Sequence, residues 1–156
     1  MEDALTRIRA VADYQFGKNV GAALFPTAVK ISFSPRTGRI RYIFLDERRI
    51  ATMRPTDGLL SLSIEGAKRI IQNAPEARCY VTVRDDVSNF IVMGGDVFAA
   101  HVVKADDAIR ARDEVIVLAS DGRILAVGRS VLSGEEMKAF KRGVAVKVRR
   151  GSLDEG

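Results

Sequence analysis

The hydrophobic period of this chain changes near residue 75, and that change limits the folds open to it. Before it, Leu5, Ile8, Ala12 and Phe16 recur at helical spacing behind Glu2 and Asp3, whose carboxylates suit a helix N-terminus, and Gly17 ends the helix. Ile64, Ala67, Ile70, Ile71 and Ala74 repeat the pattern behind the capping residue Ser63, with Pro75 at the end. Between the two helices the period is two. Val29, Ile31 and Phe33 alternate with Lys30, Ser32 and Ser34, and the turn Ser34-Pro35-Arg36-Thr37-Gly38 follows. Ile40, Tyr42 and Phe44 then share one face of a second strand, with Arg39 and Arg41 on the other, and a third strand runs from about Arg49 to Met53.

After the break, strands dominate. Cys79, Val81 and Val83 point inward from one strand, and a short helix beginning at Asp85 or Asp86 carries Val87, Phe90 and Ile91 to Gly94. A hairpin turns at Asp121-Gly122 between Glu114–Leu118 and Arg123–Val131, since this pair tolerates positive φ. Ser133 and Glu136 have capping-box spacing for a helix to Lys141, and Val144, Val146 and Val148 form a last strand after Gly143. Four or five strands and two short helices in about 75 residues favour closure into a barrel, because closure removes exposed strand edges. The chain divides into an α+β domain over 1–75 and a small, mostly-β domain over 76–151, with 152–156 as a frayed tail.

Charge is unequal between the halves. Residues 1–75 hold twelve Lys/Arg against seven Asp/Glu, whereas residues 76–156 hold thirteen of each. The net charge of +5 favours an anionic partner, and the excess of arginine over lysine suits bidentate phosphate contacts. The run Val20–Val29 is too short for a membrane span and contains Pro26, and Met-Glu-Asp lacks the basic start of a signal peptide. These features predict a cytoplasmic protein without a membrane partner.

Catalytic patterns are missing. One cysteine (Cys79) and one histidine (His101) supply neither a four-ligand zinc site nor a Cys-His pair at a diagnostic spacing, and no P-loop, dinucleotide fingerprint or G-x-S-x-G occurs. The acidic pairs Asp85-Asp86, Asp106-Asp107, Asp113-Glu114 and Glu135-Glu136 all stand at turns or helix starts, where carboxylates cap. No enzyme activity, metal or cofactor is expected. His101 reads as a packed or edge histidine and Phe98 as a core residue before a stacking platform. Lys147-Val148-Arg149-Arg150 is either a solvated strand end or an edge that follows phosphates.

Several fragments fall into one register. Strand 79–84, helix 85–93, Gly94-Gly95-Asp96-Val97-Phe98, Val102-Val103, Asp113-Glu114-Val115, "LAVGRSVLS" (125–133) and "GVAVKVRR" (143–150) together resemble a PUA domain, an RNA-binding pseudo-barrel with two short helices. "DYQFGKNVGAALF" (13–25) and "TGRIRYIFLDERRIATMRPTDGLLSLSIEGAKRI" (37–70) resemble the small α/β domain preceding PUA in archaeal archaeosine tRNA-guanine transglycosylases, whose catalytic barrel has no counterpart in this sequence. The resemblance implies a non-catalytic RNA-binding protein linked to tRNA modification, gripping an acceptor stem or single-stranded end. The alternative is an accessory subunit that docks on a separate catalytic chain. It places RNA contacts at Gly94, Gly95, Asp96, Val97, Phe98, Lys104, Lys147, Arg149 and Arg150, in a cationic groove whose glycines admit close backbone approach. Ala100-His101 stands where many members carry Pro-Gly.

Overall fold

The computed structural model describes residues 3–153, in two compact units that meet between Ala77 and Arg78. In the first unit, helices α1 (Ala4–Phe16), α2 (Val20–Leu24) and α3 (Ile64–Asn73) accompany an antiparallel sheet of order β1-β2-β3-β4. The strands are β1 (Lys30–Phe33), β2 (Ile40–Leu45), β3 (Arg48–Met53) and β4 (Leu60–Leu62). Asp3 caps α1 by accepting the Thr6 amide, and Ser63 caps α3 by accepting that of Gly66. The short elements α2 and β4 carry no periodicity that the sequence reading registers.

The faces of β2 depart from expectation. Ile43, not Tyr42 or Phe44, is fully buried, in line with Ala51 and Leu62 on the neighbouring strands. Register shifts at Ser32/Phe33 and Ile43/Phe44 break the simple alternation, leaving Phe33 exposed and Tyr42 outside beside the guanidinium groups of Arg41 and Arg49. At the other sheet edge, the Gln15 side chain pairs with β4: its Oε1 accepts the Leu60 amide at 2.6 Å, and its Nε2 donates to the Leu60 carbonyl at 3.0 Å.

The second unit is a six-stranded mixed sheet of order β6-β10-β9-β8-β5-β7. Its strands are β5 (Tyr80–Val83), β6 (Val97–Phe98), β7 (Val102–Ala105), β8 (Glu114–Leu118), β9 (Ile124–Ser130) and β10 (Val144–Gly151), with helices α4 (Ser88–Val92) and α5 (Gly134–Ala139). The two edge strands, β6 and β7, are separated in sequence only by a single 3₁₀ turn, Ala99–His101, so the sheet nearly closes on itself. β5 runs parallel to β8 and the other pairs are antiparallel. The interior is filled by small aliphatic side chains, among them Val81, Val83, Ile91, Val97, Val117, Leu125 and Val146.

Local signals are realised closely. Ser133 and Glu136 form the reciprocal capping box, and Gly122 turns the hairpin at φ 89°. The expected helix from Asp85 is a 3₁₀ turn (Asp85–Val87) leading into α4. Residues expected in a frayed tail behave differently: the Ser152 amide donates to Leu125 and the Leu153 amide to Val92, while 154–156 lie outside the described residues. Among the described residues no helix is long and apolar enough to cross a membrane.

One glycine fixes the layering of the first unit. A Cβ at Gly66 would stand 2.1 Å from the Ile50 carbonyl oxygen, so α3 lies directly on the backbone of β3. Gly→Ala in an exposed helix interior stabilises by about 1 kcal/mol. Here the sign reverses: Gly66→Ala is expected to destabilise by about 1–3 kcal/mol through overpacking, read as a lowered thermal midpoint.

Candidate nucleic-acid interface

The expected contact residues gather around the end of α4, the loop that follows it and strand β10. Gly94 ends the helix at φ 103°, as its position after Met93 predicts, with its amide donating to Ile91. Gly95 serves a different purpose from the one expected. A Cβ there would stand 2.3 Å from the ring of Phe90, so this glycine admits an aromatic side chain rather than another backbone. The backbone approach occurs instead at Gly151, where a Cβ would lie 2.2 Å from the Val92 carbonyl oxygen and 2.7 Å from the Gly94 nitrogen. The end of β10 is thereby pressed against the end of α4.

Asp96 fastens the same strand to the loop. Its Oδ1 accepts the Val148 amide at 2.9 Å, and its Oδ2 lies 3.6 Å from Lys147 Nζ. Val97 is fully buried, paired with Val146, so its side chain holds the loop from inside. Phe98 is 40% exposed, contrary to a core placement, and meets His101 edge-on at 5.4 Å between centroids. The Phe98 amide donates to His101 Nδ1 at 3.2 Å. Burial, with the nearby Arg84 charge, holds the His101 imidazole below its usual pKa, against a smaller opposing pull from Asp86. The neutral ring is the form able to accept that amide.

On β10 the cations divide. Lys147 is largely exposed. Arg149, expected as a phosphate contact, forks onto both oxygens of Glu114, whose side chain is fully buried. Arg150 lies within the strand, paired with Val127, rather than beyond its end. Lys104 is exposed on β7, opposite Thr82. The expected cationic surface therefore carries acids as well: Asp96 beside Lys147, and Glu114 buried beneath Arg149. Arg129, which the sequence reading does not single out, pairs in register with Lys147 on one side and Glu114 on the other. It is the one exposed residue of β9, and its Nε donates to the Arg112 carbonyl at 3.4 Å. Its signal in the sequence is the register of the hairpin, visible once β9 and β10 are aligned.

The other candidate reactive groups are occupied. Asp85 accepts from Ser120 Oγ at 2.7 Å, Asp106 from the Ala108 amide and Asp113 from the Arg110 amide. Burial pushes the Cys79 thiol pKa far up, reinforced by Glu114, Asp106 and Asp113, which opposes a thiolate at neutral pH. Among the described residues no group of three or more His, Cys, Asp or Glu is placed to hold a metal ion.

Two outcomes test this arrangement. Arg149→Ala removes the fork from a buried carboxylate and is expected to cost about 3 kcal/mol in chemical denaturation, whereas Lys147→Ala leaves the midpoint nearly unchanged. His101 titrates with the opposite sign to a partnered base. Its folded pKa lies below the unfolded value of 6.5, so its stabilising bond is present above that pH and is lost as pH falls towards the folded value. Protection of the Phe98 amide from hydrogen exchange, corrected for intrinsic rate, falls as pH is lowered from neutral through the folded value, and His101→Ala abolishes the dependence.

Comparison with known proteins accounts for both units. Residues 6–76 match the family described as the patch-forming domain C2 of tRNA-guanine transglycosylase, and residues 79–152 match the PUA domain. The tRNA-guanine(15) transglycosylase of Thermococcus kodakarensis is 45% identical over 96% of this chain, and that of Methanothermobacter thermautotrophicus is 42% identical over 97%. The chain spans only 25% and 23% of those proteins, respectively. Among solved structures, a hypothetical protein of Pyrococcus horikoshii superposes with a TM-score of 0.78 at 25% identity, covering 97% of this chain and 91% of that one. A conserved PUA domain protein of Thermoplasma acidophilum gives a TM-score of 0.60 at 29% identity, over 73% and 71%. The first unit thus matches a patch-forming C2 domain and the second a PUA domain, and the chain is similar over nearly its whole length to about a quarter of the length of tRNA-guanine(15) transglycosylases.

Proposed function

We propose that this protein binds RNA, tRNA in particular, without a catalytic step of its own, and that it serves tRNA modification. The observation that carries this reading is the continuous match of both units to enzymes named for acting on tRNA, above 40% identity over nearly the whole chain. The second unit supplies a fitting surface. Lys147 and Arg129 face each other across β10 and β9, Lys104 projects from β7, and Phe98 offers an exposed ring beside the glycine loop. Such a surface reads phosphate and shape with one stacking contact, the usual economy of recognition at an acceptor stem or a single-stranded end. The glycine-loop residues 94–98 contribute backbone and form, with the Phe98 ring as their main side-chain contact. Arg149 and Asp96 position β10, and Arg150 adds a further base within that strand.

The match to proteins named transglycosylases supports a second reading, in which this chain acts as a gripping subunit beside a separate transglycosylase catalytic chain. Co-elution with such a chain in gel filtration, and restored base exchange on mixing, would support it. Separate elution removes it.

Retention of tRNA on filters at about 100 mM salt, above a neutral polymer control, is the direct test. Lys104→Ala and Lys147→Ala are each expected to lower affinity and to reduce the slope of log K against log salt by about 1, with thermal unfolding unchanged. Binding no stronger than to the control overturns the proposal.

A further inference from the structure

The basic excess of the first unit is concentrated, and most of its remaining cations are already spent. Arg9 Nε donates to the Phe25 carbonyl, and Arg69 donates to those of Leu24 and Ala23, closing the end of α2. Arg48 and Lys68 share Glu65, and Arg49 lies against the Tyr42 ring. Of the seven other cations, Lys18 and Lys30 lie elsewhere, and the rest line one concavity of about 930 Å³, bounded by the β1–β2 turn, the start of β2, the loop after β3 and one turn of α1. Its wall carries Arg7, Arg36, Arg39, Arg41 and Arg54, with Asp57 as the single acid.

Asp57 pairs with Arg54 at 3.1 Å and also accepts the Leu59 amide at 2.9 Å. Arg7, Arg36, Arg39 and Arg41 form no ion pair among the described residues; Arg41 shares the Tyr42 ring with Arg49, yet its Nε, like Arg54 Nη1, is buried without a hydrogen-bond acceptor. Five guanidinium groups around one cavity repel one another, and a buried N–H lacking an acceptor costs the fold free energy. Both penalties are relieved by one kind of occupant, a compact anion with several oxygens.

We propose that this pocket binds a phosphomonoester, the terminal phosphate of an RNA strand or of a free mononucleotide. A monoester carries close to two negative charges at neutral pH and three terminal oxygens, enough for several arginine forks at once. An internal diester carries one charge and continues as chain on both sides, which suits an open track. The volume falls within the roughly 300–1,000 Å³ range of small-ligand sites. The site belongs to the first unit and does not rest on the RNA-binding reading of the second.

Calorimetry on the full chain tests it with four probes: a short single-stranded RNA bearing 5′-phosphate, the same RNA with 5′-hydroxyl, adenosine 5′-monophosphate and adenosine. The phosphorylated member of at least one pair is expected to bind about tenfold tighter than its partner. A gain for the RNA pair alone assigns the site to an RNA end, and a gain for the nucleotide pair assigns it to a free nucleotide. The double variant Arg36→Ala/Arg39→Ala, in the exposed turn, abolishes the gain, and Arg39→Lys, which keeps charge without the fork, reduces it. Lys104→Ala/Lys147→Ala lowers binding of both RNAs and leaves their ratio intact, so failure of the second unit's reading is separately visible. Equal binding within both pairs, or a gain that survives the arginine double variant, overturns the proposal. So does an equal loss of both RNAs in that variant, because it shows tracking of internal phosphates.

Discussion

Everything at the candidate RNA face depends on β10 lying hard against the end of α4. Gly151 has no side chain, so its backbone reaches the Val92 carbonyl, and the Asp96 carboxylate takes the Val148 amide three residues earlier. Between these fixtures, at the register shift between Val148 and Arg150, Arg149 reaches Glu114. The loop, the last strand and the strand beneath are therefore positioned by short polar contacts over a core of small aliphatic residues. A surface for phosphate and sugar needs that rigidity more than it needs charge, since shape recognition fails when the outline moves.

This division of labour changes the meaning of the basic run at 147–150. A sequence gives equal weight to the charges of Lys147, Arg149 and Arg150, whereas the fold gives them different tasks. Lys147 faces outward, Arg149 holds a buried carboxylate, and Arg150 sits in the ladder opposite Val127. Asp96 and the buried Glu114 temper the field, and Lys147 and Arg129 stand side by side on neighbouring strands. Association steered by such a modest field leans on contact geometry for its selectivity.

What was legible in the sequence was what depends on near neighbours. The cap at Ser63, the box at Ser133 and Glu136, the Asp121-Gly122 turn and the helix stop at Gly94 are settled within three or four residues, and all were readable. The resemblance of ordered fragments to known domains carried the architecture. What escaped was set by distant partners. The inward face of β2 follows from bulges against both neighbouring strands, so Ile43 displaced the expected Tyr42 and Phe44. Arg149 finds Glu114 across 35 positions, Gly95 yields to the ring of Phe90, and α2 and β4 are too short to show a period.

The glutamine that pairs with β4 has a consequence for how the molecule keeps apart from its own copies. An open strand edge invites a second strand, and intermolecular sheets grow from such edges. Gln15 offers the outer strand an amide of the same donor–acceptor pattern as a peptide, satisfying the Leu60 N–H and C=O at once. At that point, recruitment of a neighbouring chain would first have to displace a covalently tethered competitor.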